Sequence, residues 1–116
     1  MTQAIIDQAT FNTLKDMMGS DFMPELIDTY FSDSASLLAE LRTALAAGDP
    51  HSFGRAAHSL KGNSATFGAA DLAAGARELE MMGKNGSLEG AQPKLDALLA
   101  EYQQVQAALE GLRDAL

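Results

Sequence analysis

The sequence predicts an all-α fold: an antiparallel up-down four-helix bundle with a short additional N-terminal helix capping one end. Three observations lead there. The 116 residues include 21 Ala and 16 Leu but only three Ile and one Val, and the β-branched types are the ones that favour strands. No segment alternates apolar and polar residues long enough to make a half-buried strand. Apolar residues instead recur three and four apart, in segments divided by Gly, Pro and Asn-Gly punctuation. The length suits one domain covering residues 1–116.

The first helix is expected from about Asp7 to Met18. Asp7 is its N-cap, Phe11, Leu14 and Met18 its apolar stripe, and Gly19 its terminator. The second runs from about Asp21 to Ala47, capped by Ser20 or Asp21. Pro24 falls in the first turn, where a missing N–H costs little. Its stripe is Leu26, Ile27, Tyr30, Phe31, Leu37, Leu38, Leu41 and Leu45, and Gly48 ends it. The third opens with Asp49-Pro50, an N-cap followed by proline at the first helical position, and reaches Phe67 before Gly68. The fourth covers about Ala70 to Gly83, with Leu72, Ala76 and Leu79 facing inward, and Asn85-Gly86 marks the next turn. The fifth starts near Gly90 to Pro93 and runs to the end, carrying Leu95, Leu98, Tyr102, Val105, Leu109, Leu112 and Leu116. That last seam also fits a coiled-coil dimer, but a two-helix coiled coil leaves the other stripes in water. A monomeric bundle, burying all four long stripes against one another, is the expectation.

Charge narrows the function. Sixteen acidic residues against eight Lys and Arg give a net charge of −8. Nucleic acid and anionic membrane surfaces both call for a basic footprint, so neither is an expected partner. With no Cys, disulfides, thiolate metal sites and cysteine nucleophiles are excluded. No apolar run is long enough to span a bilayer and no signal peptide is visible, which points to the cytosol.

The third helix is the informative one. Phe53, Ala56, Ala57, Leu60, Ser64 and Phe67 cluster within an arc of about 100° on a helical wheel, and His58 points about 150° away from its centre. An exposed histidine is therefore expected. Gly54 and Gly62 lie four residues to either side of it, the nearest positions on a helix surface. Each mid-helix glycine costs roughly 0.5–1 kcal/mol relative to Ala. Placed on the outer face, they clear space for another macromolecule to approach the ring. Close packing against another helix is the alternative use. From Pro50 to Ala70 there is no acidic residue, while Arg55 and Lys61 are present. Lys61, three residues from His58, can reach a group attached to the ring. This positive island suits an imidazole that carries a doubly negative group. Counting back from the antiparallel turn places the level of His58 near Leu79, where Glu78 and Glu80 both stand. Either carboxylate could hold one ring nitrogen and leave the other as nucleophile. An alternative for Glu80 is an ordinary surface pair with Lys84.

These residues belong to a recognisable pattern. A-H-S-L-K-G-N-S-A-T-F-G-A, from Ala57 to Ala69, followed by Leu79-Glu80, resembles the signature of histidine-containing phosphotransfer (HPt) domains. The likeness extends over nearly the whole chain through its helix order. It implies that His58 accepts a phosphoryl group on Nε2 and that Lys61 offsets the phosphate charge. It further implies that Gly62 leaves clearance for the partner and that Ser64 packs helices or helps orient the site. Glu80, in preference to Glu78, falls where the family places the polar residue that bonds the ring's other nitrogen. Gly54, Arg55, Gly62 and Ala65 are the candidate docking residues, with apolar positions of the first helix and the start of the second beside them.

The chemistry agrees with this resemblance. A neutral exposed imidazole is a competent nucleophile near pH 7. It can take a phosphoryl group from the receiver domain of a hybrid histidine kinase and pass it to a response regulator. The chain lacks a Gly-rich phosphate loop after a strand, so it is expected neither to bind ATP nor to phosphorylate itself. It is a phosphocarrier in this reading, not an enzyme in its own right, and with no kinase or receiver module attached it is a freestanding shuttle. No cofactor is expected; Mg²⁺ belongs to the partner receiver. A metal site on His51 and His58 is excluded by their spacing, about 10.5 Å along the helix axis. A convex helix face offers no cleft for a hydrolase. A helical adaptor that binds without chemistry is the remaining rival.

Overall fold

The computed structural model describes residues 5–116, which form five α-helices and no strand. They are α1 (Gln8–Met18), α2 (Met23–Ala47), α3 (Pro50–Thr66), α4 (Ala70–Asn85) and α5 (Ala91–Asp114). α1 begins where the Asp7 carboxylate accepts the Thr10 backbone N–H at 3.1 Å. α3 begins in the same way, with Asp49 accepting the Ser52 N–H at 3.2 Å and Pro50 in the first turn. Both caps satisfy N–H groups that have no partner inside their helix.

α2 departs from expectation. Ser20 and Asp21 do not cap it; they lie in a turn, and the helix starts at Met23 behind Phe22, whose side chain makes no cap bond. The backbone does that work instead. The Gly19 carbonyl accepts from Phe22 and Met23 at 3.1 and 3.3 Å, and Phe22 in turn accepts from Leu26. α4 runs two residues past Gly83 to Asn85 and stops at Gly86, which takes the left-handed conformation. Met18 and Leu116, expected on apolar stripes, are exposed because each lies at a helix or chain end beyond the last packed turn.

α2 packs on α3, α3 on α4, α4 on α5, and α5 back on α2, so the four long helices enclose one core. Ile27, Leu41, Phe53, Leu60, Leu72, Leu79, Leu95, Val105 and Leu109 are wholly buried in it. Each contributes about 1.5–3 kcal/mol by leaving water. α1 lies against α3 and is tied to the α3–α4 turn by a 2.8 Å bond from the Asp7 N–H to the Gly68 carbonyl. Gly68 has a φ of +83°, and a Cβ there would stand 2.9 Å from the Asp7 carbonyl oxygen, so no other residue fits without strain. None of the helices in the described residues is long and apolar enough to cross a membrane.

Candidate functional site

The inward face of α3 is Phe53, Ala56, Ala57, Leu60 and Ser64, all buried, with Phe67 buried at its C-terminal end. His58 therefore points outward, with 65% of its side chain exposed. α4 reaches the ring from one side. Glu80 Oε2 lies 2.7 Å from His58 Nδ1, and Lys61 Nζ donates to Glu80 Oε1 at 2.7 Å. Lys84 Nζ approaches Oε2 at 3.4 Å from one turn further along α4. Glu80 itself is buried, only 5% of its side chain being accessible. The other carboxylate at this level, Glu78, pairs instead with Lys94 of α5 at 3.2 Å.

The electrostatics follow from this geometry. The hydrogen bond from Lys61 does most to hold the Glu80 carboxyl down, at about 2; the bonds from His58 and Lys84 act with it against the opposing effect of burial. Glu80 is thus ionised at neutral pH and can only accept. The proton of a neutral His58 ring then sits on Nδ1, and the lone pair sits on Nε2. No hydrogen bond within the described residues engages Nε2.

How α4 comes so near is a matter of two glycines. Gly54 is buried, not exposed as its wheel position suggests. It packs against Gly83. A Cβ built on Gly83 would lie 2.6 Å from Gly54 Cα, 2.6 Å from the Pro50 carbonyl oxygen and 2.7 Å from Gly54 N. The missing side chains let the two backbones touch one turn from His58 and Glu80. Antiparallel counting carries this signal, since Gly54 and Gly83 stand equally far from the turn at residues 68–69. The wheel of α3 alone does not, because it contains no neighbour.

The other motif residues divide cleanly. Gly62 is exposed, and a Cβ there would meet nothing within 4 Å, so the space beside the ring is open. Arg55 and Ala65 are exposed on the same helix. Ser64 faces the interior, fully buried, where its hydroxyl pairs with Tyr30 Oη at 2.8 Å. It belongs to the packing and does not touch the ring. A groove runs along α3 beside His58, with Glu40 and Thr43 of α2 on one bank and Glu80 and Lys84 of α4 on the other. The described residues contain no group of three or more His, Cys, Asp or Glu that could hold a metal.

An exposed imidazole, proton fixed on its inner nitrogen and set in a helical bundle, is the equipment of a phosphoryl carrier. The Hpt domain family model matches residues 25–108, and the chain belongs to that family: it is a histidine-containing phosphorelay carrier of two-component signalling. Among solved structures, it is similar to the histidine-containing phosphotransfer protein B (HptB) from Pseudomonas aeruginosa PAO1. The two are 31% identical, with a TM-score of 0.93 over 99% of each chain. No curated protein sequence matches it.

Proposed function

We propose that His58 is the phosphoacceptor, loaded by the receiver domain of a hybrid histidine kinase and emptied onto a response regulator. The observation that carries this is the ring itself, exposed, with Nδ1 against Glu80 and Nε2 unengaged. The Nε2 lone pair attacks the phosphorus of a receiver's aspartyl phosphate. An N–P bond forms, the P–O bond to the aspartate breaks, and its electron pair stays on the departing carboxylate. The ring becomes positive with its proton still on Nδ1, and ionised Glu80 stabilises that charge as it develops. Onward transfer reverses the step: a second receiver's carboxylate attacks, and the N–P pair returns to Nε2. Lys61 offsets the charge of the phosphoryl group, and Gly62 leaves room for the receiver's backbone. Arg55 and Ala65 flank the docking face.

In this reading residues 1–116 act as one domain, a monomeric up-down four-helix bundle with α1 across one end, working in the cytoplasm. It is a carrier with a phosphohistidine intermediate, holds no cofactor and does not use ATP. The Mg²⁺ of the reaction belongs to the receiver.

Mixing the protein with a labelled, phosphorylated receiver tests this. Wild type is expected to take up acid-labile, base-stable label, and His58→Gln none, with its helical circular dichroism unchanged. Equal labelling of His58→Gln would remove His58 from the reaction.

A further inference from the structure

Glu80 is served by more cations than it needs. One carboxylate, 5% exposed, receives His58 Nδ1 and Lys84 Nζ on Oε2 and Lys61 Nζ on Oε1. With a neutral ring, two ammonium groups and one carboxylate leave one positive charge in surplus. The two lysines are anchored differently. Lys61 rides on α3 with His58, three residues on, within reach of whatever the ring carries. Lys84 is on α4 with Glu80, next to Gly83, whose backbone is pressed against Gly54.

A phosphoryl group on Nε2 brings about two negative charges. Lys61 holds Glu80 Oε1 at 2.7 Å, and the larger charge of the phosphoryl group competes with that carboxylate for the same ammonium. Without Lys84, the departure of Lys61 would leave the buried carboxylate held by the His58 ring N–H alone, with most of its hydrogen-bonding capacity unfilled, which is unfavourable. Held at one oxygen only, the carboxylate would turn toward water, and the ring would lose its anchor. We propose that Lys84 keeps Glu80 ionised and in place when Lys61 turns to the phosphoryl group on His58. Lys84 is then a positioning residue that acts through Glu80 and never touches the phosphoryl. This rests on the carrier reading above. It divides the work between the helices: α3 supplies the cation that follows the phosphoryl, and α4 the one that stays.

The test uses the full chain and phosphoramidate as donor, which loads histidine without any receiver: Nε2 bonds to phosphorus and ammonia leaves with the old bonding pair. Solvent exchange of the Nδ1-bound proton of the loaded ring is followed by NMR in wild type, Lys84→Gln and Lys84→Arg. In the unloaded proteins all three exchange alike, because Lys61 still holds Glu80. In the loaded proteins Lys84→Gln exchanges about two- to tenfold faster, the scale of one lost hydrogen-bonded contact, and Lys84→Arg matches wild type. Transfer to a receiver slows in Lys84→Gln by a similar factor and recovers in Lys84→Arg. Identical exchange in loaded wild type and loaded Lys84→Gln overturns the proposal, as does acceleration in the unloaded variant alone. A chain that loads from phosphoramidate but exchanges nothing with a receiver refutes the relay and still reports on Lys84. A chain that does not load on His58 at all overturns both.

Discussion

Gly83→Ala and Gly62→Ala are the same chemical change on neighbouring surfaces of one hairpin, and they should move stability in opposite directions. At Gly83 the added methyl meets only backbone, with contacts of 2.6, 2.6 and 2.7 Å to Gly54 and Pro50. Ordinary carbon contacts lie at about 3.5–4.0 Å, so α3 and α4 must part by about 1 Å. Overpacking of this kind costs about 1–3 kcal/mol; rigid backbone on the receiving side places Gly83 at the upper end. Alanine's better helix propensity offsets about 1 kcal/mol. A net loss of about 2 kcal/mol lowers Tm by about 8 °C in a domain of this size. At Gly62 nothing stands within 4 Å, so only the propensity gain remains, and Tm should rise by about 2–4 °C. Function should follow the first variant, not the second. An outward shift of about 1 Å stretches the 2.7 Å bond between His58 and Glu80 beyond about 3.5 Å, where it ceases to be one. Transfer in Gly83→Ala is then expected to fall about ten- to a hundredfold. Thermal unfolding by circular dichroism and single-turnover transfer from a labelled receiver measure both. A Gly83→Ala protein that melts at or above wild type would refute the claim that this contact is rigid, and with it the account of how Glu80 reaches the ring.

Gly62→Gln should preserve or raise Tm yet slow transfer at least tenfold, because the long side chain fills the open space beside His58; stopped-flow transfer assays check this. Ser64→Ala should cost about 1 kcal/mol in urea unfolding, since it removes a buried hydrogen bond to the Tyr30 hydroxyl, and leave transfer rates unchanged. Glu80 should shape the acid limb of stability. Its folded carboxyl lies at about 2 against an ordinary 4.5, so the unfolded chain binds this proton first as pH falls. The contribution is complete above about 4.5 and disappears between there and about 2. Urea midpoints measured across that window should fall less steeply in Glu80→Gln than in wild type.

The outward direction of His58 was legible because the burial pattern of α3 is internal to one helix: six inward positions define the wheel, and the ring is whatever lies opposite. The caps of α1 and α3 were legible for a similar reason, since an aspartate three residues before its acceptor-seeking N–H is a local pattern. Relations between helices were harder to read. Gly54 lies far from the α3 stripe and is nonetheless buried, because α4 covers a second face through Gly83. The choice between Glu78 and Glu80 depended on the rotation of α4, which spacing from the turn does not determine; the structure turns Glu80 to the ring and Glu78 to Lys94. Spacing alone pairs Lys84 with Glu80 one turn apart on α4, and the two do pair. What spacing could not convey is that the carboxylate between them is buried and shared three ways. α2 starts later than a Ser20 or Asp21 cap implies because a backbone turn at Gly19 takes the place of a side-chain cap.

His58 is a single exposed ring on a single helix, and that sets a timetable for its visitors. If His58 is the phosphoacceptor proposed above, a donor and a recipient need the same patch of α3, so they cannot sit there together, and each must depart before the other can call. Tight complexes would stall the traffic. Short residence times suit this arrangement, with recognition relying on fast encounter more than on lasting grip.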